Sequence, residues 1–66
     1  MQFKLYQKVK VKTGKYQGRV GYISSIRSYG SIDVQFDEWI SPKNNRGRLI
    51  PVTFTESEIE PFRSGS

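Results

Sequence analysis

The clearest pattern in the chain is the strict alternation at Lys8-Val9-Lys10-Val11-Lys12. Strand side chains point to alternate faces, so this order sets two valines on one face and three lysines on the other. A helix would scatter the lysines around its axis. The run ends at Thr13-Gly14, a turn signal, and a short loop through Lys15, Tyr16 and Gln17 leads to Gly18. A second strand is predicted from Arg19 to Arg27, with Val20, Tyr22, Ile23 and Ile26 as its apolar positions. The spacing from Ile23 to Ile26 breaks the alternation, and two inward side chains so placed require a bulge or a sharp bend. Gly21 marks a point where a side chain would hinder close backbone approach.

Ser28-Tyr29-Gly30-Ser31 reads as a hairpin connection in which glycine supplies a positive φ. In the third strand Ile32, Val34 and Phe36 alternate with Asp33, Gln35 and Asp37, which predicts that both aspartates lie on a solvated face. Glu38 to Gly47 has no periodicity and is long for a loop in a domain of this size. Such a loop is expected to be mobile in the free protein and to serve recognition. A fourth strand is predicted from Arg48 to Phe54, with Ile50, Val52 and Phe54 on one face. Pro51 restricts it to an edge or a bulge. Thr55 and Glu58 have the spacing of a capping box around one tight helical turn. Ile59 to Phe62 supplies a last short strand. The fold class is therefore all-β: five short strands with one helical turn before the last, rolled into a closed or nearly closed barrel that leaves few free edges. Its expected core is Val9, Val11, Val20, Ile23, Ile26, Val34, Phe36, Val52, Phe54 and Ile59.

The chain has 66 residues, room for one core only. Residues 1–62 form the expected domain and 63–66 a flexible tail. There is no cysteine, so disulfides and thiolate metal sites are excluded. There is no histidine, which removes the commonest general base and zinc ligand. No run approaches the length of a membrane span, and the charged N-terminus lacks the apolar core of a signal peptide. The expectation is a cytoplasmic protein. Net charge is +5, and it is segregated. Residues 1–32 carry seven basic groups and no acid, whereas residues 33–66 carry four basic and six acidic groups. That polarity points to an anionic partner.

The stretch Val9-Lys10-Val11-Lys12-Thr13-Gly14-Lys15-Tyr16-Gln17-Gly18-Arg19-Val20-Gly21-Tyr22-Ile23-Ser24-Ser25-Ile26 resembles the KOW motif of ribosomal proteins and transcription elongation factors. Two alternating valines, a glycine turn, a basic-aromatic loop, two further glycines and two spaced aliphatic residues carry the likeness. The resemblance implies a five-stranded SH3-like barrel that binds RNA or DNA, although some such barrels bind proteins. Val34-Gln35-Phe36 and Phe54-Thr55-Glu56-Ser57-Glu58-Ile59-Glu60 are similar to segments of the small ferredoxin-docking subunits of photosynthetic complexes. That likeness implies an acidic protein partner. The type II dihydrofolate reductases also share a glycine-bearing start. Their Val-Gln-Ile-Tyr segment has no counterpart in Ile50-Pro51-Val52-Thr53-Phe54, which lacks the glutamine and the tyrosine.

The candidate binding residues fall into four groups. Lys8, Lys10 and Lys12 form a stripe that either contacts phosphates or discourages edge pairing. Lys15, Tyr16 and Arg19 combine an aromatic with cations, as base stacking with phosphate contact requires, unless Tyr16 merely covers the end of the barrel. Arg27 and Tyr29 flank the second hairpin. Lys43, Arg46 and Arg48, with Trp39, make the long loop the richest candidate, because tryptophan and arginine dominate binding hot spots. The alternative for Trp39 is a lid folded over the barrel mouth. No nucleophile has a base beside it and no carboxylates have ligand spacing, so no catalytic residue, metal or cofactor is expected. The expected partner is RNA or DNA bound with low sequence specificity, or an acidic protein surface. Neither a membrane nor a small-molecule substrate is expected.

Overall fold

The computed structural model describes residues 3–27 and 30–62. Five strands appear: β1 (Lys8–Val11), β2 (Val20–Ile26), β3 (Ser31–Gln35), β4 (Val52–Thr55) and β5 (Ile59–Pro61), with a 3-10 turn, Glu56–Glu58, before the last. All pairings are antiparallel and the strands form one sheet in the order β4-β3-β2-β1-β5. The all-β class, the strand number and the late turn match expectation.

The sheet is rolled but not closed. β4 and β5 are its opposite edges, yet only Glu56–Glu58 separates them along the chain. In a flat sheet four inter-strand steps would hold these edges about 19 Å apart. Four residue steps reach at most about 14 Å when extended, and a 3-10 turn spans less. The sheet must therefore curl, and residues from every strand meet in one core: Val9 and Val11, Ile23, Ile32 and Val34, Phe54, and Ile59. Among the described residues no ladder joins β4 to β5, so the expected barrel closure is absent. Part of the β4 edge is blunted locally. The Thr55 N–H donates to Glu58 Oε1 at 2.9 Å, and the Thr55 hydroxyl donates to the same oxygen at 3.0 Å. These bonds hold the turn.

Register explains the departures from the expected core. Val9 sits opposite Gly21, and Val9 is buried. Gly21 is thus the inward position of β2, and Val20 and Tyr22 share the outer face with Lys8 and Lys10. Val20 is only half-buried, against its expected place in the core. A Cβ on Gly21 would lie 2.6 Å from the Gln35 carbonyl oxygen and 2.9 Å from side-chain carbons of Phe36 and Val34, the close approach anticipated there. The register shifts between Ile23 and Ser25. This is the predicted bulge, and it turns Ile26 back against the core.

Two core residues stand outside the expected core, Ile32 although its alternation already set it on the face of Val34 and Phe36. Ile32 is fully buried. Phe3 is buried as well, because the N-terminal segment extends the pairing with β2. Tyr6 N donates to Ile23 O at 2.7 Å and Ile23 N donates to Gln7 O at 2.9 Å. The chain turns at Lys4–Gln7 with Tyr6 at a φ of 65°, a left-handed conformation that costs a non-glycine residue about 1–2 kcal/mol.

Asp33 corrects the expectation of a solvated aspartate. It points to the outer face but is only 3% exposed. Arg27 Nε donates to its Oδ2 at 3.0 Å and Thr53 Oγ1 donates to its Oδ1 at 2.8 Å. These partners explain how a carboxylate is held out of water without being left unpaired. Asp37 is exposed as expected.

The fourth strand starts later than predicted. Lys43 pairs with Leu49 in an isolated antiparallel bridge, so residues 42–50 make a small hairpin of their own. Pro51, which has no N–H to donate, separates that hairpin from β4. Ile50 is consequently exposed rather than inward.

Candidate binding surface

In an up-and-down sheet successive connections alternate between its two ends. The β1–β2 loop, residues 12–19, and the β3–β4 connection, residues 36–51, therefore lie at the same end. The β2–β3 turn lies at the other. Aromatic packing ties the two loops together: the Tyr16 ring stacks on Phe36 with centroids 5.1 Å apart and planes 14° apart. Tyr16 and Phe36 also meet Phe54 edge-on at 6.3 and 6.1 Å.

The first loop owes its shape to its glycines. Gly14 and Gly18 have φ of 89° and 86°, conformations that glycine enters without steric cost. Gly18 N donates to Val11 O and Val11 N to Arg19 O, both at 2.9 Å. The loop is thereby folded back on itself, and Tyr16 is laid over the core. Tyr16 thus covers this end of the fold, with one ring face on Phe36 and Lys15 Nζ 5.7 Å from its centroid.

The longer connection is anchored at its base and presents cations at its tip. Asp37 O accepts from Ile40 N and Ser41 N, both at 2.9 Å. Ile40 packs against the core. Ser41 is buried, donating to Phe36 O at 2.8 Å and accepting from Gln35 Nε2 at 2.9 Å. With Ile40 and Ser41 turned inward, Trp39 is left 90% exposed; it is no lid. At the tip, Asn44 Oδ1 accepts from Arg46 N at 2.8 Å and Arg48 N at 3.0 Å. Asn44 N donates to Arg48 O at 2.9 Å and Gly47 N to Asn44 O at 3.0 Å. The sequence shows this segment only as a stretch without periodicity; the Asn44-to-Gly47 spacing is the signal of its asparagine-centred turn.

The two loops carry Lys12, Lys15, Arg19, Lys43, Arg46 and Arg48 at the same end of the sheet, all exposed. Among the described residues the one ion pair is Arg27–Asp33, so none of these six is neutralised by a carboxylate contact. Asp37 and Glu38 are the exposed acids of the long loop, two against six. Leu49 and Ile50 add exposed apolar surface to the hairpin.

The other candidates are placed differently. Lys8 and Lys10 lie on the outer face of β1. Lys10 is opposite Glu60 of β5, and Lys8 Nζ lies 5.6 Å from the Phe62 ring centroid, so these two lysines sit beside β5 and the chain's C-terminal acids rather than on the loops. Arg27 is committed to Asp33 at the opposite end of the sheet. Tyr29 falls outside the described residues. The described residues contain no group of three or more His, Cys, Asp or Glu able to hold a metal ion. No helix among them is long and apolar enough to cross a membrane. Comparison with protein-family models and with curated proteins finds no match.

Proposed function

We propose that the chain is a non-enzymatic module that binds RNA or DNA through the loop end of its sheet, with low sequence specificity. One observation carries this reading. Six exposed cations without a carboxylate partner and a 90% exposed tryptophan lie on two loops at one end of the sheet, and a stacked ring pair joins the bases of those loops. Lysine and arginine contacts to phosphate supply affinity but carry no base information, hence the low specificity. The resemblance of Val9 to Ile26 to the KOW motif supports the same reading.

The test is the salt dependence of binding to mixed-sequence RNA and DNA, followed by fluorescence anisotropy. If about four of the six cations engage a single strand, affinity falls roughly 50-fold between about 50 and 200 mM salt. An absence of binding at the lower salt removes the proposal.

A second reading is a docking adaptor for an acidic protein. The exposure of Trp39, Leu49 and Ile50 beside Lys43, Arg46 and Arg48 favours it, since an apolar patch with a basic rim suits such a partner.

A further inference from the structure

We infer that the nucleic acid is single-stranded and that an unpaired base stacks on the indole of Trp39. The inference rests on the nucleic-acid reading and narrows it.

Trp39 forgoes burial in a fold with little apolar area to spare. An indole covers on the order of 200 Å² when buried, yet here Ile40, its neighbour, takes the inward place and the ring remains in solvent. The turn that carries it, within the loop expected from the sequence to be mobile, is hydrogen-bonded at its base. Asp37 O holds the two N–H groups that follow Trp39, and Ser41 is buried between Gln35 and Phe36 O. An exposed ring on a hydrogen-bonded turn is partly preorganised, which lowers the ordering cost of binding. Tyr16 is not available in the same way, because Phe36 occupies one of its faces.

A duplex gives this platform nothing to hold. Its bases are already stacked on one another, and phosphate contacts from the six cations need no aromatic ring. A single strand offers free base faces, and an aromatic between cations can take a base while the cations follow the backbone on either side. Lys43, Arg46 and Arg48 on the hairpin, with Lys15 and Arg19 on the first loop, supply those cations at the same end of the sheet.

The chain contains one tryptophan and four tyrosines, so emission excited at the red edge of indole absorption, beyond that of tyrosine, reports this position alone. The intact protein is titrated at low salt with a mixed-sequence strand of about 12 nucleotides, its duplex, and an abasic strand of equal length. The expected result is strong quenching at saturation by the single strand and little by the duplex or the abasic strand. In anisotropy titrations Trp39→Ala weakens single-strand binding by about 5- to 150-fold. It leaves duplex binding within about two-fold and the melting curve unchanged, because an exposed ring adds little to stability. If strand and duplex bind but quench equally or not at all, or if Trp39→Ala weakens both alike, the stacking inference is overturned and the nucleic-acid reading stands. If none of the three probes binds, both fall.

Discussion

Gly21→Ala tests the register on which the fold depends, because two accounts of this glycine predict effects of opposite sign. Judged by propensity alone, a glycine inside a strand is a weakness. Replacing it with alanine lowers the entropy of the unfolded chain and should stabilise by about 0.4–1 kcal/mol where the backbone permits. The packing predicts the reverse. The new Cβ would lie 2.6 Å from the Gln35 carbonyl oxygen, a distance that real Cβ atoms essentially never show, and 2.9 Å from Val34 Cγ1 and Phe36 Cδ1. Gln35 is paired with Tyr22 in the β2–β3 ladder, so its oxygen cannot retreat without disturbing that pairing. Val34 and Phe36 are buried core residues and cannot swing into solvent without opening a cavity. Overpacking of this kind costs about 1–3 kcal/mol. Against a total of about 3–10 kcal/mol for a chain of this length, a loss near 2 kcal/mol lowers the melting temperature by roughly 8–16 °C. Gly21→Val should lose more, although valine is the better strand former. Thermal and urea melts followed by circular dichroism measure both variants. A Gly21→Ala protein as stable as the parent, or more so, would mean that Gly21 does not face Val9 and that the β2–β3 packing is wrong.

The two aspartates of the third alternating run should separate cleanly in chemical denaturation. Asp33→Ala loses charge-assisted bonds from Arg27 and Thr53 and should cost about 1–3 kcal/mol, whereas exposed Asp37→Ala should stay within about 0.5 kcal/mol; equal effects would contradict the burial of Asp33. On the binding side, replacing Lys43, Arg46 and Arg48 together with serine should weaken nucleic-acid binding more than the same change at Lys8, Lys10 and Lys12, with little change in the melting temperature. Among the described residues none of these cations makes an ion pair, but Lys10 faces the acidic Glu60 across the ladder while the hairpin cations share their loop with Trp39. A larger loss from the strand triple, read by anisotropy, would move the binding surface to the outer face of the sheet.

What was legible in the sequence, and what was not, divides along a physical line. Alternation at Lys8–Lys12 and Ile32–Phe36 fixed the strands because each has one apolar face, and the Ile23-to-Ile26 spacing located the bulge because a period of two cannot accommodate it. Hydropathy fails where the inward residue is silent. Gly21 carries no side chain, so its apolar neighbours Val20 and Tyr22 took its place in the pattern, and only the pairing with Val9 restores the parity of β2. It fails again at Asp33, whose burial depends on Arg27 across its own hairpin and on Thr53 twenty residues away. The binding surface follows the same logic. Residue type was enough to single out Lys15, Tyr16, Arg19, Trp39, Lys43, Arg46 and Arg48 separately, but not to say which of them share an end of the sheet. That placement requires only that connections alternate between the ends of an antiparallel sheet, a rule that sends the first and third loops to one end and Arg27 to the other. Composition therefore nominates the cations, topology selects among them, and burial divides the aromatics, with Tyr16 in the packing and Trp39 in solvent.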